Sequence, residues 1–121
     1  MPSNKQRLGK WGENVAASYL SARGFEIVAR NVRTPYGEID LVVKNWVGLV
    51  FVEVKTRSSD AFGQPEQAIH SKKREHMLQS AEYYLQELKD YPGAWRIDVI
   101  AVRGEPDQIN PEVMWFENAL A

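Results

Sequence analysis

Asp40, Glu53 and Lys55 are the residues whose types and spacing could do chemistry together: two carboxylates on successive apolar runs, and an ammonium two residues beyond the second. Paired carboxylates with no histidine or cysteine nearby suit a hard divalent cation such as Mg²⁺ or Mn²⁺, which prefers oxygen ligands. An ammonium beside them could hold or polarise an attacking water and offset charge growing on a phosphate. All of this depends on a fold that brings Asp40 to Glu53.

The runs Glu38–Lys44 and Leu49–Thr56 are rich in β-branched and apolar residues and flank Asn45–Gly48, so they read as a hairpin. If Asn45 pairs with Gly48, then Val43 faces Val50, Leu41 faces Val52 and Ile39 faces Val54, giving one aliphatic face for the core. The same register sets Asp40 opposite Glu53 and Glu38 opposite Lys55 on the other face, and a slip of one residue would mix the two sets. Opposed carboxylates, with Cβ atoms about 4.5–5.5 Å apart, need a proton, a lysine or a metal between them. Lys55 follows Glu53 by roughly 6–7 Å along the strand. The plainer arrangement is an ion pair of Lys55 with Glu38, and of Asp40 with a lysine from elsewhere, which contributes little to stability.

The remaining elements must hold this hairpin. Leu8, Trp11, Val15 and Tyr19 make a helical stripe over residues 5–22, stopped by Gly24. Phe25–Arg30 reads as a strand and Asn31–Pro35 as a loop. Met77, Leu78, Ala81, Tyr84, Leu85 and Leu88 mark a helix over Lys72–Lys89, ended by Pro92-Gly93. Trp95–Val102 and Glu112–Phe116 complete an αβββαββ order. With 121 residues, one domain spanning 1–121 is expected. Nothing requires an oxidising compartment, because the chain has no cysteine, and no apolar run suggests export or a membrane span; the cytoplasm is the expected location. A formal net charge of −1 argues against an avid DNA coater but leaves room for local basic patches.

Gly37-Glu38-Ile39-Asp40-Leu41 followed by Phe51-Val52-Glu53-Val54-Lys55-Thr56-Arg57 closely resembles the YraN-type family of small bacterial proteins, which are similar to archaeal Holliday-junction resolvases and other PD-(D/E)xK nucleases. The resemblance extends through Gly9–Glu13, Arg30-Asn31, Phe62-Gly63, Pro65, Lys73 and Arg96-Ile97-Asp98-Val99. It implies a restriction-endonuclease-like α/β core, a mixed central sheet flanked by helices. It further implies metal ligation by Asp40, Glu53 and the Val54 carbonyl, catalysis by Lys55, and a helix-one glutamate, Glu13, at the metal. Ile39 stands where the motif's proline would be. Resolvase-like relatives act as dimers, so a homodimer is the natural expectation.

Other residues have weaker signals. Glu13 sits on the flank of the helix-one stripe, and the plainer reading is a solvated glutamate. Lys73 continues the second helix's buried stripe and should point to the sheet, either toward phosphate or as a lysine snorkelling over apolar surface. Lys72, Arg57 and Gln67 join Lys73 as candidates to meet nucleic acid, although a run such as Lys72-Lys73-Arg74 commonly caps a solvated helix end. Arg96 and Asp98 alternate with apolar residues on one strand face and are expected to form a structural ion pair, with Glu38 also structural. Trp46 at the hairpin tip could stack on a base, but covering the sheet edge is the expectation. Two functions compete: a Mg²⁺- or Mn²⁺-dependent endonuclease acting on structured or branched DNA, and a catalytically weak or inactive module that binds nucleic acid or a partner on the same fold.

Overall fold

The computed structural model describes residues 3–58, 71–106 and 109–119, with the side chains of residues 71 and 72 outside that description. Helix α1 (Asn4–Ser21) leads into β1 (Glu26–Thr34), β2 (Gly37–Lys44) and β3 (Gly48–Arg57), then α2 (Ser71–Glu87), β4 (Ala94–Arg103) and β5 (Glu112–Phe116). The strands form one sheet in sequence order. Neighbours are antiparallel except β3 and β4, whose parallel pairing follows from the crossover containing α2. This is a mixed α/β fold, a five-stranded sheet flanked by helices.

Helix α1 starts at a capping box, in which the Ser3 hydroxyl accepts from the Gln6 N–H and the Gln6 side chain accepts from the Ser3 N–H. Its Ala16, Ala17 and Leu20 bury against Leu41, Val43, Val50, Val52, Ile100 and Val102. The opposite sheet face carries Ile39, Val42, Leu49, Phe51 and Ile97 under Ala81 of α2. Both faces are therefore core. The expected division of the hairpin into one aliphatic and one charged face does not hold, because a strand covered by helices on both sides needs apolar residues on both, here Val42, Leu49 and Phe51 on the second face.

The hairpin register is as expected where the strands pair, with Leu41 opposite Val52, Val43 opposite Val50 and the Asn45 N–H donating to the Gly48 carbonyl. Two expectations need correction. Strand β1 does not stop at Arg30 but continues to Thr34 through pairs of Arg33 with Glu38 and Thr34 with Gly37, so the chain expected to loop is strand. Ile39 does not share a face with Leu41 and Val43; it packs in the α2-side core instead. Trp46 covers nothing: it is 94% exposed at the hairpin tip.

Helix α2 is fixed to the β1–β2 turn by buried Ser80, whose hydroxyl lies 2.9 Å from that of Thr34, and the Thr34 hydroxyl donates to the Gly37 carbonyl at 2.7 Å. That anchor places the first turns of α2 over the end of the sheet where the charged residues gather. No helix among the described residues is long and apolar enough to cross a membrane.

Candidate functional site

In an antiparallel ladder, hydrogen-bonded pairs recur at every second residue. Counting from Asn45 and Gly48, the next such pairs are Val43 with Val50, Leu41 with Val52, and then Ile39 with Val54. The pairing stops one step short, at Leu41 and Val52. The Val54 N–H finds Asp40 instead, donating to Oδ2 at 2.8 Å. Residue N–H and C=O groups point to the same side of a strand, so the Val54 carbonyl faces the same gap as the Asp40 carboxylate.

Asp40 is half-buried and surrounded by negative charge. Burial, followed by the charge of Glu53, pushes its carboxyl up from 3.8 to about 7; the Val54 N–H works the other way, and Glu13 and Glu38 add further upward pressure. Oxygens of Glu13, Glu38 and Asp40 lie within 4.8 Å of one another. The Asn31 amide, oriented with its nitrogen toward these acceptors, stands 3.0 and 3.2 Å from the two Glu13 oxygens and 3.2 Å from Glu38 Oε1.

Glu13 reaches this cluster because α1 sits very close to the sheet. A Cβ at Gly12 would overlap the Thr56 side chain, so only glycine allows this approach. The buried face of α1 is made of Gly12, Ala16, Ala17 and Leu20, with Trp11, Val15 and Tyr19 packed at its margin. Glu13 lies four residues before Ala17 and seven before Leu20, on the buried face and not on its flank.

On the α2 side, Glu53 is 8% exposed, and its Oε1 accepts contacts from two ammoniums, Lys73 at 2.9 Å and Lys55 at 3.3 Å. Burial opposes the charge of Lys73, but Glu53 outweighs it and raises the ammonium's pKa. Lys73, His76, Met77 and Ser80 of α2 line an open groove with Tyr36, Gly37, Glu38 and Glu53. Arg57, one turn of the strand pleat beyond Lys55, buries its Nε with no hydrogen-bond partner among the described residues.

The profile of the Uncharacterised protein family UPF0102 matches residues 12–102. The chain belongs to this family, the YraN family. Among its UPF0102 relatives, a protein of Syntrophotalea carbinolica is 42% identical over 93% of this chain and 91% of its own. One of Dehalococcoides mccartyi is 37% identical over 99% of this chain and 98% of its own. One of Beutenbergia cavernae is 47% identical over 81% and 83%. A solved structure of Pyrococcus furiosus SfsA in complex with Ca²⁺ is similar at 15% identity and a TM-score of 0.37, over 91% of this chain and 62% of that one.

The UPF0102 profile spans the elements that carry the cluster, from Gly12 to Val102. Asp40 and Glu13 come together in the structure, joined by Glu38, which the sequence suggested as a structural partner of Lys55. Lys55 pairs with Glu53 and not with Glu38. Glu53 adjoins Asp40 electrostatically but spends one carboxylate oxygen on lysines. Lys73 points to the sheet, as its helical position required. Arg96 and Asp98 do form an ion pair, at 2.9 Å, but its remaining contacts run to Trp115, Glu117 and Asn118 beside β5, away from Asp40. Gln67 and the side chain of Lys72 lie outside the described residues. Asn31, which enters the sequence reading only through the family resemblance, stands among these carboxylates.

Proposed function

We propose that this protein is a divalent-metal-dependent endonuclease, built on a restriction-endonuclease-like core, that hydrolyses phosphodiester bonds in structured or branched DNA. The observation that supports this most is the convergence of Glu13, Glu38 and Asp40 oxygens beside the Val54 backbone, with Lys55 and Lys73 gathered on Glu53 of the next strand. An all-oxygen donor set with excess negative charge suits Mg²⁺ or Mn²⁺. The element order and the parallel β3–β4 pair are consistent with such a core.

Asp40 and Glu13 would hold the cation, with Glu53, Glu38 or the Val54 carbonyl completing the set. When bound, the ion supplies Lewis acidity toward water and phosphate. Lys55, as an ammonium, would hold the attacking water and offset charge growing on the phosphate, while Lys73 and Arg57 would meet the phosphate oxygens. A homodimer would supply the second site needed to cut both strands of a junction.

A second reading has one observation in its favour: with two ammoniums already on Glu53, part of the site's charge is cancelled from within. On that reading the protein is a nucleic-acid- or partner-binding module of little hydrolytic activity. Titration of Mg²⁺ and Mn²⁺ into wild type and folded Asp40→Ala, Glu53→Ala and Lys55→Ala variants, with cleavage of linear, nicked, flapped and four-way-junction DNA, separates the two. Cleavage by wild type alone supports the nuclease. DNA binding that survives Asp40→Ala, with no cleavage by any form, supports the binding module.

A further inference from the structure

Asn31 stands in β1 between Arg30, which pairs with Leu41, and Val32, which pairs with Ile39, so it lies across from Asp40. Its φ is 53, in the left-handed region that glycine, and at lower cost than most residues asparagine, can occupy. A uniform strand places residues three apart on opposite faces. Here Ala29 and Val32 both pack in the α2-side core, and on the neighbouring strand so do Val42 and Ile39. Leu41 meanwhile packs under α1. The alternation of both strands therefore inverts at the level of Asn31 and Asp40. Without that inversion Ile39 would fall under α1, and Asp40 would turn to the α2 side, away from Glu13.

The side chain acts on the same residues. Its amide nitrogen reaches both Glu13 and Glu38. An amide offers two N–H donors and no charge, so it can draw two carboxylates together without cancelling the charge that would attract a cation. A lysine at this position would gather them equally well and compete with the metal. The adjoining Arg30 ties the same stretch of β1 to α1 by donating to Asn14 Oδ1 at 2.6 Å, next to Glu13 in the helix.

We propose that Asn31 is a positioning residue for the carboxylate site: its left-handed backbone turns Asp40 toward α1, and its amide holds Glu13 and Glu38 together. The assignment rests on the metal-site reading above and specifies what assembles that site. Two variants divide its roles. Asn31→Gly keeps the backbone conformation and deletes the amide, whereas Asn31→Ala loses the amide and also strains the backbone. The readouts are Mn²⁺ affinity by calorimetry, thermal unfolding without metal, and crystal structures of the metal-free variants.

Asn31→Gly is expected to fold, to bind Mn²⁺ about tenfold more weakly, as loss of an outer-shell partner commonly does, and to let Glu13 and Glu38 part. Asn31→Ala should match it or bind more weakly still, and unfold at a lower temperature. Unchanged affinity together with unmoved carboxylates in Asn31→Gly overturns the assignment. If wild type takes up no Mn²⁺, the metal reading fails by itself, and the metal-free crystals judge Asn31: carboxylates that separate in Asn31→Gly support the positioning role, and carboxylates that stay in place overturn it.

Discussion

Asp40 and Asp98 are two aspartates of one sheet given opposite treatment. Asp98 is fully buried and completely answered: Arg96 Nε and Nη2 donate to it at 2.9 and 3.2 Å, Trp115 Nε1 at 2.9 Å and the Asn118 N–H at 2.8 Å. Its charge binds β4 to β5 and the turn beyond. Asp40 is less buried, yet it has one backbone N–H and three carboxylate neighbours. A buried charge that serves only structure is surrounded by donors, because leaving it unpaired is costly. Asp40 is left short of donors, the environment expected of the cation site proposed above.

The sharpest way to break the comparison is to remove both carboxylates in turn. Asp98→Ala leaves a guanidinium, an indole N–H and a backbone N–H without their acceptor, and should cost about 3–5 kcal/mol in urea unfolding. A loss below 1 kcal/mol would mean that Asp98 is not the structural half of the pair.

Asp40→Asn should do the opposite, in a way that depends on pH. The folded carboxyl is raised to about 7 from 3.8. Below the lower value the group is protonated in folded and unfolded chains alike, so nothing is lost; as pH rises through the higher value the folded state must ionise a disfavoured carboxyl, and the stability held at low pH disappears. Asparagine keeps an acceptor for Val54 without that charge. The variant should match wild type near pH 4, exceed it by roughly 2 kcal/mol at pH 8 after allowance for partial solvent access, and lose Mn²⁺ binding. Parallel urea curves at the two pH values test this, and a wild type as stable at pH 8 as at pH 4 relative to Asp40→Asn would contradict it.

Smaller in size is the effect of Lys73→Gln, which removes one of the two ammoniums from Glu53. Mn²⁺ affinity should hold or improve by about threefold, while DNA affinity falls and the slope of its logarithm against log salt drops by about 1. Equal weakening of both would place Lys73 in the scaffold of the site and not against phosphate.

Much of the fold was legible because alternation in Glu38–Lys44 and Leu49–Thr56 tolerates only one register. That logic failed where the period of two itself fails. The inversion at Asn31 and Asp40 sends Ile39 to the other core, and its cue was a single asparagine that reads equally well as the start of a loop. Helix α1 misled in another way. Large residues such as Trp11 and Tyr19 dominate a hydrophobic stripe, but the closest approach to the sheet belongs to Gly12, Ala16 and Ala17, whose smallness was the available signal for Glu13. The partners of Asp98 in Trp115 and Asn118 come from a distant stretch of chain, and no local pattern announces them.

Gly12 carries no chemistry, yet it governs the reach of its neighbour. Since any side chain there would meet Thr56, the helix is seated as low on β3 as a backbone permits. A methyl group at position 12 would act as a wedge under one end of a lever, lifting Glu13 away from Asp40 while leaving every carboxylate in the sequence. An inventory of acidic residues would then read as intact in a protein that had lost the distance between them.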